Sequence, residues 1–393
     1  MADWPSWPQW DEREHDALRR VLESGDWGGY SAALGEFERA FAARHEARHC
    51  ISAMNGTVSL VAAFAACGIG PGDEVIVPAY TFFATASAVR LAGATPVFAD
   101  IEPDTYNLDV AAAEAAIGER TKAIVPVHFA GLPVDLDLLL PLAAKHDLVV
   151  IEDAAHAHGS SWRGRPVGAL GDIGSFSFQA NKNMTAGEGG ALLTDDDALA
   201  ARLWSYVNQG RDAGGSWYEH PHLGSNLRLT GWQAALLQVQ LERLNAQLER
   251  RMASSRYLRE ELARFPGLRP LAWDERADAH AHHLFVLRYD PEEFEGLSRS
   301  EFRLELEARG IPSSSGYGMP LYGQQSLAPP HGRATPCPAA ERACSEAIWL
   351  SHNLLLADET QLAAIPEAVD EILTDRRRLA VRAESPRQGG VAA

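Results

Sequence analysis

The chain has 393 residues, long enough for one large domain and a smaller one at about 100–200 residues per domain. Hydrophobic residues make up 46%, aromatic residues 8% and charged residues 22%, values that exclude disordered, collagenous and membrane-spanning classes. With 53 acidic and 35 basic residues the formal charge is −18, which argues against nucleic acid and anionic membranes as partners. The four cysteines, Cys50, Cys67, Cys337 and Cys344, form no C-x-x-C pair, and residues 1–20 lack a basic-then-apolar signal, so a reduced, cytoplasmic chain is expected.

In chain order, N-G-T at 55–57 opens the helix-like run S-L-V-A-A-F-A-A. Short Val- and Ile-rich runs then alternate with Ala- and Leu-rich helical stretches. Strands are expected at 74–77, 95–99, 123–127, 148–152, 175–178 and 191–194, several of them apolar throughout, as in a sheet covered on both faces. This βαβ rhythm predicts one buried, mostly parallel sheet. Helical spacing over 230–265 predicts a long helix leading into a second domain. That domain holds a strand at 283–289, a helix at 298–309 ended by Gly310, and a closing helix at 359–373. The boundaries read from this are 1–245 for the large domain with its N-terminal segment, 246–383 for the small one, and 384–393 for a frayed tail.

Only three lysines occur. Lys122 and Lys145 flank expected strands, where solvated side chains are ordinary. Lys182 instead lies in S-F-S-F-Q-A-N-K-N-M-T-A-G-E-G-G, after a strand and before Gly187, Gly189 and Gly190, and loops after strands are where α/β sheets bind ligands. A lone loop lysine is usually a surface charge, so the assignment needs partners. Asp153 ends the preceding strand in V-V-I-E-D-A-A-H-A-H-G. It is either a turn aspartate or the carboxylate that keeps the pyridine nitrogen of pyridoxal 5'-phosphate (PLP) protonated. Gly56 and Thr57 at a helix start, with Ser177 at a strand end, can hold a phosphate.

These segments, with N-G-T-V-S-L, G-D-E-V-I-V-P-A-Y-T-F-F-A-T, G-S-N-L-R-L-T-G-W-Q-A-A-L and G-Y-G-M-P-L-Y, resemble the DegT/DnrJ/EryC1/StrS family of PLP-dependent sugar and cyclitol aminotransferases over nearly the whole chain. The resemblance implies the fold-type-I transferase architecture, α/β with a mostly parallel sheet and a smaller C-terminal α+β domain. It further implies that Lys182 is the Schiff-base lysine and Asp153 the pyridinium partner. Gly56, Thr57 and Ser177 would hold the phosphate, Phe82 would stack on the ring, and Asn226 would reach the phosphate of a neighbouring subunit in a homodimer with shared sites. His156 stands where most members carry glutamine, which implies a bond to the cofactor's phenolic oxygen and leaves its protonation open. Gly231 replaces a usual acidic residue. The histidine resembles the 3-amino-5-hydroxybenzoate synthase branch, and the start W-P-S-W-P-Q resembles glutamine:scyllo-inosose aminotransferases.

The expected activity moves an amino group from glutamine or glutamate to a keto-sugar or keto-cyclitol. Trp27, Arg228 and Tyr317 are candidate substrate contacts, and no resident metal is expected. Three other readings stand beside it: a dehydratase or aromatase of the same fold, a PLP-binding regulator, and a zinc hydrolase built on D-x-x-H-x-H (Asp153, His156, His158) with His128.

Overall fold

The structure, a computed structural model, describes residues 3–384, with side chains through residue 378. The frayed tail expected at 384–393 lies almost wholly outside the described residues; Glu384 itself ends the last helix. Two helices, α1 (Glu12–Ser24) and α2 (Ala32–Arg44), come first. There follow β1 (His49–Ala53), α3 (Gly56–Ala66), β2 (Glu74–Pro78), α4 (Phe83–Leu91), β3 (Thr95–Ala99), α5 (Val110–Ala116), β4 (Thr121–Ile124), α6 (Leu136–Lys145) and β5 (Val149–Asp153). A small hairpin, β6 (Ser161–Trp162) and β7 (Arg165–Pro166), leads to β8 (Ile173–Ser177), β9 (Gly190–Thr194) and α7 (Asp197–Val207). The long α8 (Gly231–Leu262) precedes β10 (Leu268–Pro270), β11 (Leu284–Tyr289), α9 (Arg299–Ala308), β12 (Arg333–Ala334), α10 (Pro338–Glu346), β13 (Ala347–Ser351) and α11 (Glu359–Glu384).

The main sheet has eight strands in the order β1-β9-β8-β5-β4-β2-β3-β12. All pairs from β8 to β12 are parallel, and β9 alone runs against its neighbours β8 and β1. Every residue of β2, β8 and β9 is buried, which is why these strands read as continuous apolar runs rather than alternating ones. The strand expected at 123–127 is found at Thr121–Ile124; it ends before Pro126, which has no N–H to give a ladder. The closing helix runs past 373 to Glu384.

The three-stranded antiparallel sheet β10-β11-β13 carries on one face a core of its own, with Leu258, Leu262, Phe285, Phe302, Ile348 and Ile365 among others, while Val286 and Ala347 join a core shared with the main sheet. The α8 helix contributes Leu237 to the core of the main sheet and Leu258 to the second core, so it runs unbroken through the boundary expected at 245/246. Ser298 caps α9 as expected: its hydroxyl accepts from the Glu301 N–H at 3.3 Å, and Glu301 accepts from the Ser298 N–H at 2.9 Å.

Candidate active site

The C-terminal ends of β1, β5 and β8 meet at one edge of the sheet, where open α/β sheets place ligands. β5 delivers Asp153 there, and Glu152 before it faces the opposite side because side chains alternate along a strand. Asp153 is 6% exposed; the Thr85 hydroxyl donates to its Oδ2 at 2.8 Å and the Ala155 N–H to its Oδ1 at 3.2 Å. Burial raises its pKa against these two bonds and the nearby charge of Lys182. Such a carboxylate is ready for a cationic partner.

Lys182 follows β8 in a turn closed by its own N–H on Gln179 O at 2.9 Å. Desolvation lowers its ammonium to about 8, with Asp153 pulling the other way. A primary amine near neutrality is a usable nucleophile and base.

The third part is a cradle. Asn55 caps α3 by accepting from the Val58 N–H at 3.0 Å, and the N–H groups of Gly56 and Thr57 have no partner among the described residues. A Cβ on Gly56 would lie 2.8 Å from the Ser177 Cβ, so only glycine lets the helix start approach that hydroxyl. Beneath it, a Cβ on Gly190 would lie 2.7 Å from the Asn55 carbonyl carbon. The last glycine of G-E-G-G is therefore the floor on which the 55–56 turn rests.

His156 is 6% exposed with Nδ1 unpartnered among the described residues, and burial, then Lys182, hold its pKa well below the usual value. The ring is neutral. Tyr317 is half-buried against Tyr80 and Trp349, at centroid distances of 5.2 and 4.8 Å, and burial with the charges of Tyr80 and Asp153 raises its phenol. Phe82 is exposed at the start of α4, one turn before Thr85.

The remaining candidates sit elsewhere in the chain. Asn226 is exposed beside Leu227, whose carbonyl accepts from the Met54 N–H at 2.7 Å. Trp27 packs on Trp232 at 5.1 Å, and the Arg228 guanidinium lies 5.0 Å over the Tyr30 ring. The histidines of the zinc reading do not converge. His128 binds Glu152 at 2.9 Å on the far side of β5, His158 packs on Phe176 and Phe178, and the described residues hold no group of three side chains fit for a metal ion.

Sequence reasoning passed over Thr85, Asn183, His283 and His352, and met Trp7 only within the W-P-S-W-P-Q start, without a role. Thr85 stands three residues after Phe82, on the same helical face, which was the available signal.

A helix N-terminus with a hydroxyl, a buried carboxylate and a near-neutral lysine at the mouth of a mostly parallel sheet define a PLP enzyme, and the residues present fit that cofactor's phosphate, ring nitrogen and aldehyde. The chain belongs to the DegT/DnrJ/EryC1/StrS aminotransferase family, whose model matches residues 8–369. The family and its structural neighbours depend on PLP. The chain is similar to 3-amino-5-hydroxybenzoate synthase of Amycolatopsis mediterranei, with 38% identity over 93% of this chain and 96% of that protein. It is also 38% identical to L-glutamine:2-deoxy-scyllo-inosose aminotransferase of Streptoalloteichus tenebrarius, over 94% of each. The crystal structure of a 3-amino-5-hydroxybenzoic acid synthase superposes with a TM-score of 0.89 at 36% identity, covering 95% of this chain and 100% of that one.

Proposed function

We propose that this aminotransferase moves an amino group from glutamine or glutamate to the ketone of a polyhydroxylated six-membered ring, a cyclitol in preference to a nucleotide-linked sugar. The observation that carries the reading is the convergence of Lys182, Asp153 and the α3 cradle on one sheet edge. Bound there, PLP supplies an electron sink for the carbon that gains or loses nitrogen.

The chain's own residues supply the rest. The Gly56 and Thr57 N–H groups and the Ser177 hydroxyl hold the phosphate at the positive end of α3. Asp153, fixed by Thr85, keeps a proton on the ring nitrogen. Phe82 would cover the ring, and neutral His156 would meet the phenolic oxygen. Lys182 would hold the cofactor between turnovers, and its amine, once freed, would serve as the base that takes up and returns the proton of the donor's α-carbon. Borohydride treatment of the loaded protein should fix the cofactor to Lys182, and a label on Lys122 or Lys145 would overturn the assignment. Lys182→Ala should fold and lose turnover.

The sharing of sites between two copies, with Asn226 crossing to the partner, is part of the same reading, supported by the exposed segment with Trp217, Tyr218 and Leu223. So are the division at residue 245, supported by the core that Leu258, Phe285, Ile348 and Ile365 form among later residues, and a cytoplasmic location, supported by four free cysteines. No described helix is long and apolar enough to cross a membrane.

The likeness to 3-amino-5-hydroxybenzoate synthase supports a second reading, in which the same site dehydrates and aromatises its ring. Purified enzyme offered a panel of inososes, nucleotide-linked keto-sugars and cyclohexenone acids separates these. A kcat/KM for a nucleotide-linked keto-sugar well above that for every inosose would remove the cyclitol preference. An aromatic product would favour the second reading.

A further inference from the structure

The backbone around Lys182 is gripped from behind by side chains that the proposed chemistry does not use. The Trp7 indole donates to Ala180 O at 2.9 Å. His352 Nε2 lies 3.0 Å from Asn181 O. Asn183 Nδ2 donates to Ala281 O at 2.6 Å, and its Oδ1 lies 3.1 Å from His283 Nδ1. The His283 ring is layered between His156, at 4.1 Å and 32°, and His352, at 5.6 Å and 25°. At the far end, fully buried Arg251 brings Nη2 within 3.2 Å of His352 Nδ1, and Trp7 packs against both.

These contacts fix where the protons are. A guanidinium only donates, so His352 Nδ1 accepts and the ring's single proton sits on Nε2, where it donates to Asn181 O. The Asn183 amide N–H is committed to Ala281 O, so its Oδ1 accepts and the His283 proton sits on Nδ1. Burial holds all three rings neutral. The Lys182 side chain has no hydrogen-bond partner among the described residues, as suits a group that must swing, so its accuracy depends on its root.

Resting on the reading of Lys182 as the cofactor's lysine, we propose that His283, His352 and Trp7 are positioning residues. They clamp residues 180–183 and back the ring of His156, with Arg251 fixing the tautomer of His352. A displacement of about 1 Å at a reacting group costs about a hundredfold in rate.

The test pairs backbone deuterium uptake over residues 179–184 in the cofactor-free chain with steady-state kinetics of the loaded enzyme. His352→Leu and His283→Leu should speed exchange and lower kcat by about ten- to a hundredfold, with the KM for the amino donor changed by less than about threefold. His352→Gln and His283→Asn keep an N–H donor in the matching position and should recover most of both losses. Trp7→Phe keeps the ring, folds, and should loosen the segment by loss of one bond. Leu variants whose exchange matches the wild type would overturn the clamp, as would Gln and Asn variants no better than Leu. A borohydride label on another lysine would defeat the reading of the site itself, while the exchange data still decide the clamp.

Discussion

Folding lowers the pKa of the Lys182 ammonium to about 8 because burial strips part of its solvation, and Asp153 does not fully compensate. The neutral amine is the nucleophile, so capture of PLP by the cofactor-free protein should quicken as pH rises through about 8 and level off above it. Stopped-flow absorbance at fixed cofactor concentration reads this directly, and a midpoint near the ordinary 10.5 would mean a solvated side chain. The sign for stability follows: the folded pKa is the lower one, so between about 8 and 10.5 the unfolded chain holds the extra proton and stability rises with pH. In Lys182→Met, denaturant titrations across that window should lack the rise. Asp153 depends in turn on the Thr85 hydroxyl. Thr85→Val should lower kcat by about tenfold, the worth of one hydrogen bond to a buried carboxylate, and Thr85→Ser should restore it.

At the scale of an element, β5 serves both faces of the sheet. Beside Asp153, fully buried Glu152 accepts from the N–H groups of Gly168, Leu170 and Gly171 at 2.8, 2.7 and 2.8 Å and from His128 at 2.9 Å. Burial alone would raise its pKa, but His128 and the backbone donors outweigh that and hold it below the ordinary value. Its contribution is therefore present above the unfolded value of 4.5 and is lost as pH falls through the folded one. Glu152→Ala strands three buried N–H groups in the turn that leads into β8 and should cost about 3 kcal/mol or more, measured by urea unfolding. Because β8 carries Ser177 and the start of the Lys182 loop, cofactor affinity should fall with it. A variant with wild-type stability would show that the turn holds itself.

In the whole molecule, α8 links a core of the main sheet to that of the second sheet, and the N-terminal segment reaches both the second core and the Lys182 loop. Trp4 donates to Gly310 O at 2.7 Å beside the second core, while Trp7 reaches the Lys182 loop. The Trp-Pro start, first noted as a mark of enzymes that act on cyclitols, thus has a structural use here that is independent of any substrate. If each site draws Asn226 from a second copy, inactive Lys182→Ala and Asn226→Ala chains should regain activity when mixed, since the mixed dimer holds one intact site. No recovery after subunit exchange confirmed by mass would count against shared sites.

The six runs of Val, Ile and Leu were legible as strands because both faces of the sheet are covered, so burial wrote itself into consecutive residues. Lys182 stood out through the scarcity of lysine and Gly56 through its place at a helix start, but the close approaches that require glycine at 56 and 190 were visible only in the structure. The strand β1 (H-C-I-S-A) and the strand β13 (A-I-W-L-S) were not legible. They are short and partly exposed, and only their antiparallel neighbours fix them. Thr85 beneath Asp153, the neutral state of His156, and the file of His283 and His352 behind Lys182 were decided by tertiary structure alone. A proton's place on an imidazole depends on which donor and acceptor face it, and these come from residues as far apart as 171 positions, His352 and Asn181, that meet only in the folded chain.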